Sequence, residues 1–449
     1  MMKHFDAIVI GGGILGCMTA RNLRRWNIST LLLEKEDDVC RGITRANSAI
    51  VYAGYDNKPG SVKAALTVRG NAGMAALCEE LEVPFNRCGS LMVSYDPDSV
   101  RRMERKLENG RKNGVPGLRL LTGEEAEAME PMLKKGITAA LYAPTTGTVN
   151  PWQLGIAACE NAVANGAQLL LNAEVLDIRP GGDGYIVKTG ADAFCCKMVF
   201  NCAGLSADRV QKLLFAPSVR LEPDGAEYLV LDKHAEKPSR VIFHQANRCG
   251  KGITAIPCVE GNLLLSGVRK ELSRPFATTA EGLRELQAAA RELLPALQTE
   301  QVIRSFGAVR PNPCMETGES LHDFCIENPA PGFYSLIGIK TPGITCANEL
   351  GRYLAKQAAD HLGAAENPGF DPRRPAIGKK DAPDYREVVC QCETITRGEI
   401  LEAIRRGATT VEAVKRRLGT GMGRCQGSRC AREIAKILME TGANPAPLF

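Results

Sequence analysis

What this sequence lacks narrows it before anything it contains. No stretch approaches the roughly 18 uninterrupted apolar residues of a membrane span. The N-terminus, MMKHFDAIVIGGG, passes from a short polar lead straight into an apolar strand. With no h-region and no small-residue cleavage site, it predicts no signal peptide. No block of Lys or Arg marks a nucleic-acid surface, and the net charge of +5 is slight for 449 residues. That mild positive balance leaves room for a small anionic substrate. Histidine is scarce, with five in all, so candidates for a general base are few. Hydrophobic content of 44% and charged content of 24% are ordinary for a globular chain. The length allows two or three domains.

Thiols and glycines are plentiful by contrast. Seventeen cysteines without a secretion signal predict the reducing cytoplasm, where thiols serve metals, redox chemistry or core packing. Most stand singly in apolar surroundings (Cys17, Cys78, Cys159, Cys202, Cys346) and read as small core residues. Only the last four, Cys390, Cys392, Cys425 and Cys430, form a spaced set.

At the other end, DAIVIGGGILGCMTARNLRRWNISTLLLEKE is a complete β-turn-α-β unit. Ala7 to Ile10 predict a buried strand, and Ile14 to Arg25 carry helical periodicity. Gly11, Gly13 and Gly16 fill GxGxxG positions: a tight turn, a close approach for a pyrophosphate, and close helix–strand packing at the helix N-terminus. The next strand, Thr30 to Leu33, ends in Glu34, placed to accept from ribose hydroxyls. The motif does not by itself separate FAD from NAD.

Three later stretches complete the pattern: CRGITRANSAIVYAGYDN (Cys40–Asn57), MVFNCAGLSADRV (Met198–Val210) and FYSLIGIKTPGITCANELGRYLAKQ (Phe333–Gln357). With them, residues 5 to 362 resemble FAD-dependent oxidoreductases of the D-amino-acid oxidase superfamily, in the glycerol-3-phosphate dehydrogenase and L-2-hydroxyglutarate oxidase branches. The resemblance implies FAD contacts at Gly11, Gly13, Ile14, Leu15, Gly16, Glu34 and Lys35, and at Thr44, Asn47, Ser48, Ala49, Val175, Ala203 and Gly204. At the flavin's pyrimidine edge it implies Gly338, Gly343, Ile344 and Thr345. Donors at the start of the helix beginning near Thr345 would stabilise negative charge on a reduced flavin.

The expected fold class is α/β. A Rossmann-like FAD-binding domain (residues 1–83, 143–221 and 309–365) carries an inserted α+β substrate domain with a mixed antiparallel sheet (84–142 and 222–308). A proline-rich, charged linker (366–387) leads to a small helical domain (388–449), with helices expected around Arg397–Arg406, Thr410–Leu418 and Ala431–Glu440. Four thiolates suit zinc, but a CxC pair is cramped for one tetrahedral ion, and neighbouring positions on a [2Fe–2S] cluster are the other reading. The spacing is similar to the bacterioferritin-associated ferredoxin type of [2Fe–2S] domain, which implies a cluster held by these four residues. A flavin accepts two electrons and a cluster passes them singly. The combination therefore implies a dehydrogenase feeding a redox partner subunit or carrier, with no membrane span and at most peripheral membrane association. Arg405, Arg406, Lys415, Arg416, Arg417, Arg424 and Arg429 are expected to steer an acidic partner; the bland reading is solvation of short helices.

The resemblance also implies a strand-end arginine that binds the substrate's carboxylate or phosphate. VIRSFGAVRPNP supplies Arg310, with Arg304 as a nearby alternative and a surface salt bridge as the structural one. Oxidation of a CH–OH or CH–NH carbon needs a base. His244, on a substrate-domain strand, is the first candidate, with an ordinary half-buried histidine as the alternative. Tyr52 and Lys340 follow. Tyr52 stands where resembling members usually carry His, Cys258 where Thr is usual, Ser266-Gly267-Val268 where Gly-Pro-Thr is commoner, and Lys340 where an acid or neutral residue is common. The expected activity is oxidation of sn-glycerol 3-phosphate or a 2-hydroxy acid. The alternatives are an amino-acid dehydrogenase subunit and a non-catalytic electron-transfer subunit.

Overall fold

Strand Lys3–Ile10 runs through the middle of an eight-stranded sheet, because Ala7, Ile8 and Val9 are apolar on both faces and fully buried. It pairs in parallel with Thr30–Leu33 and with Ala193–Asn201. Phe333–Ile337 and Gln168–Leu170 extend the parallel set, and Val175–Gly181 with Gly184–Thr189 form an antiparallel edge. The computed structural model describes residues 2–244, 252–270 and 276–443, and the side chains of 268–270 are not described. The stretch after His244, the Val268 side chain and the last residues of the expected C-terminal domain therefore lie outside the described residues.

One face of this sheet is covered by helices Ile14–Leu23, Pro151–Ala164 and Gly343–Leu362, which share a core with Val62–Glu80. The Pro151–Ala164 helix starts where it does because the Asn150 side chain accepts from the Gln153 N–H and Pro151 needs no partner at the first helical position.

A second eight-stranded sheet contains Ser90–Ser94, Ala139–Ala143, Val219–Leu231, Val241–His244, Leu263–Lys270 and Val302–Met315. Its strands alternate. Leu91, Val93, Leu229, Leu231, Ile242 and Leu265 pack under helix Ala280–Leu293. Val241, Ile256 and Leu264 face the other way, towards Tyr52 and Phe243. The domain boundary expected at 308/309 falls inside strand Val302–Met315, which pairs with Val219–Leu231 along its whole length.

The stretch expected to be a linker is laid against the first body. The Asn161 amide donates to the Asp371 and Arg373 carbonyls at 3.0 and 3.1 Å, and Arg21 donates to the Pro372 carbonyl at 3.0 Å. Beyond it, Val388–Cys390 and Ile395–Thr396 form a short hairpin, followed by helices Arg397–Arg405, Val411–Leu418 and Ala431–Glu440. Thr396 and Glu399 make a reciprocal capping box, Thr410 caps the next helix, and Gly419 ends it at a φ of +78°. Ile400, Ala403, Val414, Ile434 and Leu438 form the core with Cys390 and Cys430. Among the described residues no helix is long and apolar enough to cross a membrane.

Candidate active site and cluster site

A cleft of about 380 Å³ opens along the C-terminal ends of the parallel strands and brings the distant stretches together. Gly11, Gly13, Ile14, Leu15, Glu34, Lys35, Thr44, Asn47, Ser48, Ala203, Gly204, Gly343 and Ile344 line it, as do Tyr52, Arg310 and Lys340.

Its floor is made by the glycine turn. Gly11 has a φ of +101°, and a Cβ there would stand 2.6 Å from the Cys202 carbonyl oxygen. At Gly16 a Cβ would lie 1.8 Å from the Gly11 carbonyl oxygen, so this glycine does not line the cleft but lets helix and turn touch. At the start of helix Ile14–Leu23 the Thr44 hydroxyl accepts the Ile14 N–H at 3.0 Å, and with no acid in the first turn the N-terminus still suits a pyrophosphate. Glu34 accepts the Gly12 N–H at 2.5 Å and the Glu36 N–H at 2.9 Å. Burial pushes its carboxyl above the usual value, although those N–H bonds and Lys35 oppose the shift. Each oxygen keeps a lone pair for a ribose hydroxyl.

At the other end, helix Gly343–Leu362 begins without a side-chain cap or a first-turn acid; the Gly343 N–H donates to the Lys340 carbonyl at 2.8 Å, and the Ile344 and Thr345 N–H groups behind it point to an electron-rich ring. Thr345 is buried and accepts the Tyr52 N–H at 3.0 Å. Gly338, at a φ of +69°, packs against Pro313, and Ala49 turns the chain at a φ of +57° beside Asn47. These three shape the cleft without lining it. Val175 is buried in the core behind the Glu34–Glu36 turn and does not reach it either.

His244 is the main correction. Phe243 points to the Tyr52 side of the sheet and stacks on Tyr52, which lines the cleft, with ring centroids 6.1 Å apart. The next residue must then point to the opposite face of the sheet. There His244 meets Tyr95, centroids 5.8 Å apart, and burial pushes its pKa down, with Glu292 opposing and Lys134 adding to the shift. It is a half-buried strand histidine on the helix-covered side, away from Arg310.

Arg310 lies opposite Asp224 in the strand register. Lys340 Nζ donates to Asn312 Oδ1 at 3.2 Å. Tyr52 places its hydroxyl 3.4 Å from Ser48 Oγ. Sequence reasoning missed two neighbours. Tyr228 lines the cleft and stacks on Phe306 at 4.7 Å with 5° between ring planes; its only signal was strand alternation. Lys63 is buried, and its pKa is lowered to about 8, first by burial and then by the charges of Lys340 and Arg310, with Asp323 partly compensating. Nothing in its local sequence marks it.

In the C-terminal unit the four cysteines come together in pairs. Cys392 Sγ lies 3.5 Å from Cys425 Sγ, and Cys430 lies against Cys390. Cys390 and Cys430 are buried, while Cys392 and Cys425 are half-buried. Among the described residues no three His, Cys, Asp or Glu side chains converge as one ion requires. Pairwise thiols fit a two-iron cluster, in which each iron takes two thiolates, better than one tetrahedral zinc. Burial works against a Cys425 thiolate, but the Gly427 and Arg429 N–H groups, the Cys392 thiol and the Ser428 hydroxyl outweigh it and hold its pKa below the usual thiol value.

The arginines expected to steer a partner are largely turned inward. Arg416 and Arg417 bond Asp38, Arg406 and Arg417 reach Glu160 on helix Pro151–Ala164, and Arg424 pairs with Asp232 at the end of strand Val219–Leu231, so all three acids belong to the chain's own two larger bodies. Arg405 pairs within its own helix, and Arg429 is exposed.

Comparison with known proteins gives a family for each of the two parts of the chain. Residues 6–357 match the FAD dependent oxidoreductase family (DAO), and residues 388–440 match the BFD-like [2Fe-2S] binding domain. A glycerol 3-phosphate dehydrogenase of Caloramator mitchellensis is 39% identical over 97% of this chain and 94% of that protein. An L-2-hydroxyglutarate dehydrogenase of Indibacter alkaliphilus is 27% identical over 79% and 98%. The solved L-alpha-glycerophosphate oxidase of Mycoplasma pneumoniae, with FAD bound, superposes with a TM-score of 0.75 at 23% identity, covering 83% of this chain and 99% of that one.

Proposed function

Because the chain belongs to the FAD dependent oxidoreductase family and ends in a [2Fe-2S] binding domain, we propose that it is a cytoplasmic dehydrogenase for a small dianionic alcohol. Glycerol 3-phosphate is the first candidate, and the electrons leave through the cluster to a redox partner. One observation carries the reading: Arg310 and Lys340 line the same cleft as the uncapped start of helix Gly343–Leu362. When bound there, FAD supplies the two-electron acceptor for a hydride. The chain's own residues do the rest. The planar guanidinium of Arg310 holds the anion in a fixed orientation, and buried Lys63 strengthens the positive field behind it. Lys340, oriented by Asn312, takes the alcohol proton on Nζ as the C–H bond breaks. The Tyr228–Phe306 and Tyr52–Phe243 stacks wall the cleft and exclude water from the reacting carbon.

A dicarboxylate presents a similar charge, and a specific observation favours it as the second reading. Tyr52 stands where glycerol-3-phosphate-like members usually carry histidine, and the 27%-identical relative is named for L-2-hydroxyglutarate. Anaerobic mixing of the holoprotein with each compound separates them. Bleaching of the flavin absorbance by glycerol 3-phosphate supports the first reading, and bleaching by L-2-hydroxyglutarate alone supports the second. Bleaching by small amino acids alone, or by none of the three, removes both.

A further inference from the structure

Two carboxylates of the FAD-binding body are gripped by four arginines from the C-terminal part of the chain. Asp38 is 1% exposed. It accepts from Arg416 Nη2 at 2.6 Å and, on both oxygens, from Arg417 Nη1 and Nη2 at 2.9 and 3.1 Å. Glu160, on helix Pro151–Ala164, accepts from Arg417 Nε at 3.3 Å, Arg374 Nη2 at 2.7 Å and Arg406 Nη1 at 3.4 Å. Arg417 therefore bridges both acids with one guanidinium, its side chain 4% exposed. Burial alone would raise the Asp38 carboxyl, but the charges and hydrogen bonds of Arg417 and Arg416 hold it below the usual range. Charge-assisted bidentate pairs away from water are the strong class of ionic contact, and removing one partner strands the other.

The position of Asp38 gives this contact its meaning. It lies within the segment from Glu34 to Arg45 that forms one wall of the cofactor cleft, between the lining residues Glu36 and Arg41. That segment is tied to the glycine turn by the Cys40 N–H, which donates to the Gly12 carbonyl at 2.8 Å, and by Glu34 on the Gly12 N–H. Its far side is tied to the cluster domain through Asp38. The same wall thus faces FAD on one side and the [2Fe–2S] domain on the other.

We propose that Asp38 and Arg417 are positioning residues that couple FAD binding to docking of the cluster domain, each holding the cleft wall in the conformation the other needs. Coupling of this kind is reciprocal: whatever docking adds to FAD affinity, FAD adds to docking. A chain whose cluster domain has come away also loses its flavin, so a reduced flavin with no electron exit does not accumulate.

The test uses the full-length holoprotein. Arg416→Gln/Arg417→Gln alters the clamp from the cluster side, and Asp38→Asn alters it from the flavin side while leaving the cluster domain's sequence intact. Arg405→Ala, whose partner Glu402 lies in its own helix, is the control. In both clamp variants the FAD dissociation constant, read from flavin fluorescence at equilibrium, is expected to rise tenfold or more. The control is expected to match wild type, and the cluster's visible circular dichroism and iron content should be retained. Reciprocally, stripping FAD from wild type should raise amide exchange in residues 388–418 at least tenfold. A clamp that only adds rigidity would lower Tm and leave FAD affinity alone. An FAD dissociation constant within twofold of wild type in Asp38→Asn, whatever the double variant does, overturns the proposal. So does unchanged exchange on FAD removal.

Discussion

Lys340 donates to Asn312 at 3.2 Å, and Asn312 sits two residues beyond Arg310 on strand Val302–Met315. Residues two apart on a strand share a face, so this bond fixes a lysine from the last glycine turn beside the arginine of the longest strand of the second sheet. Two predictions rest on that pairing.

Arg310→Lys keeps the charge and loses the planar fork. The transition state should weaken by about 2–3 kcal/mol, on the order of a hundredfold in kcat/KM, because charge-assisted pairs in a dry site are worth about that. FAD content should stay at the wild-type level, since the arginine stands at the substrate end. Unchanged kcat/KM on the true substrate would remove Arg310 from the anion site.

Lys340→Met removes the proton acceptor, and loss of a general base lowers kcat by roughly 10²–10⁴. The acidic limb of the kcat profile should disappear with it. Tyr52→Phe keeps the stack on Phe243 and loses only the hydroxyl beside Ser48, so a drop of about tenfold or less is expected. The reverse ranking would make Tyr52 the base.

Lys63 gives a pH signature. Its folded pKa is about 8, below the usual lysine value of 10.5, first because of burial and then because of the charges of Lys340 and Arg310. A lowered lysine pKa means the unfolded chain binds more protons between pH 8 and 10.5, so stability rises with pH across that window. Below pH 8 the penalty of burying the ammonium is fully present. Lys63→Met should abolish that rise in denaturant midpoints measured from pH 7 to 10. Over the same range the wild-type KM for the anion should climb as the Lys63 charge is lost, and the variant's KM should be high and flat. Parallel wild-type and variant profiles would place the lysine outside the field of the cleft.

Local chemistry was legible in the sequence and side-chain direction was not. Glycines at 11, 13 and 16, with an acid at the next strand end, can be read because each does one backbone job at a fixed spacing. The three short helices of the C-terminal unit stand within a residue or so of where the sequence pattern places them. His244 was misjudged because a four-residue strand, Val241–His244, is apolar at all but its last position, so its sequence does not say which face meets the cleft. Once Phe243 stacks on Tyr52, alternation decides the matter. The inward arginines were hidden for another reason. Arg417 and Asp38 are 379 positions apart, and a run of basic residues on a short helix looks the same whether it meets water or a buried acid. The proline-rich stretch misled similarly: its carbonyls are satisfied by Asn161 and Arg21, side chains from distant helices.

The last prediction concerns the route of electrons. Cys392 and Cys425 are the half-buried pair, and Cys392 lines a crevice of about 260 Å³ between the cluster domain and the second sheet, together with Asp232, Lys233, Glu393 and Arg424. Lys233 also reaches the Cys392 carbonyl at 3.5 Å, and Gln426, next to Cys425, accepts from Arg304 at 3.3 Å. The Cys392–Cys425 side of the cluster site therefore faces the second sheet. Cys425→Ser should remove the broad visible absorption that lies beyond the flavin bands, and iron should fall with it. Because Asp38 links the two halves, the comparison belongs at saturating FAD, where the flavin site is filled in both proteins. There, anaerobic flavin reduction by substrate should keep its wild-type rate, since Arg310 and Lys340 are untouched. Turnover with a one-electron acceptor should fall at least tenfold, while turnover with a small two-electron dye that reads the flavin directly should largely remain. If one-electron turnover survives in a protein shown to lack iron, electrons leave from the flavin itself and the cluster's part is structural. Stoichiometric zinc in anaerobically prepared wild type would lead to the same conclusion.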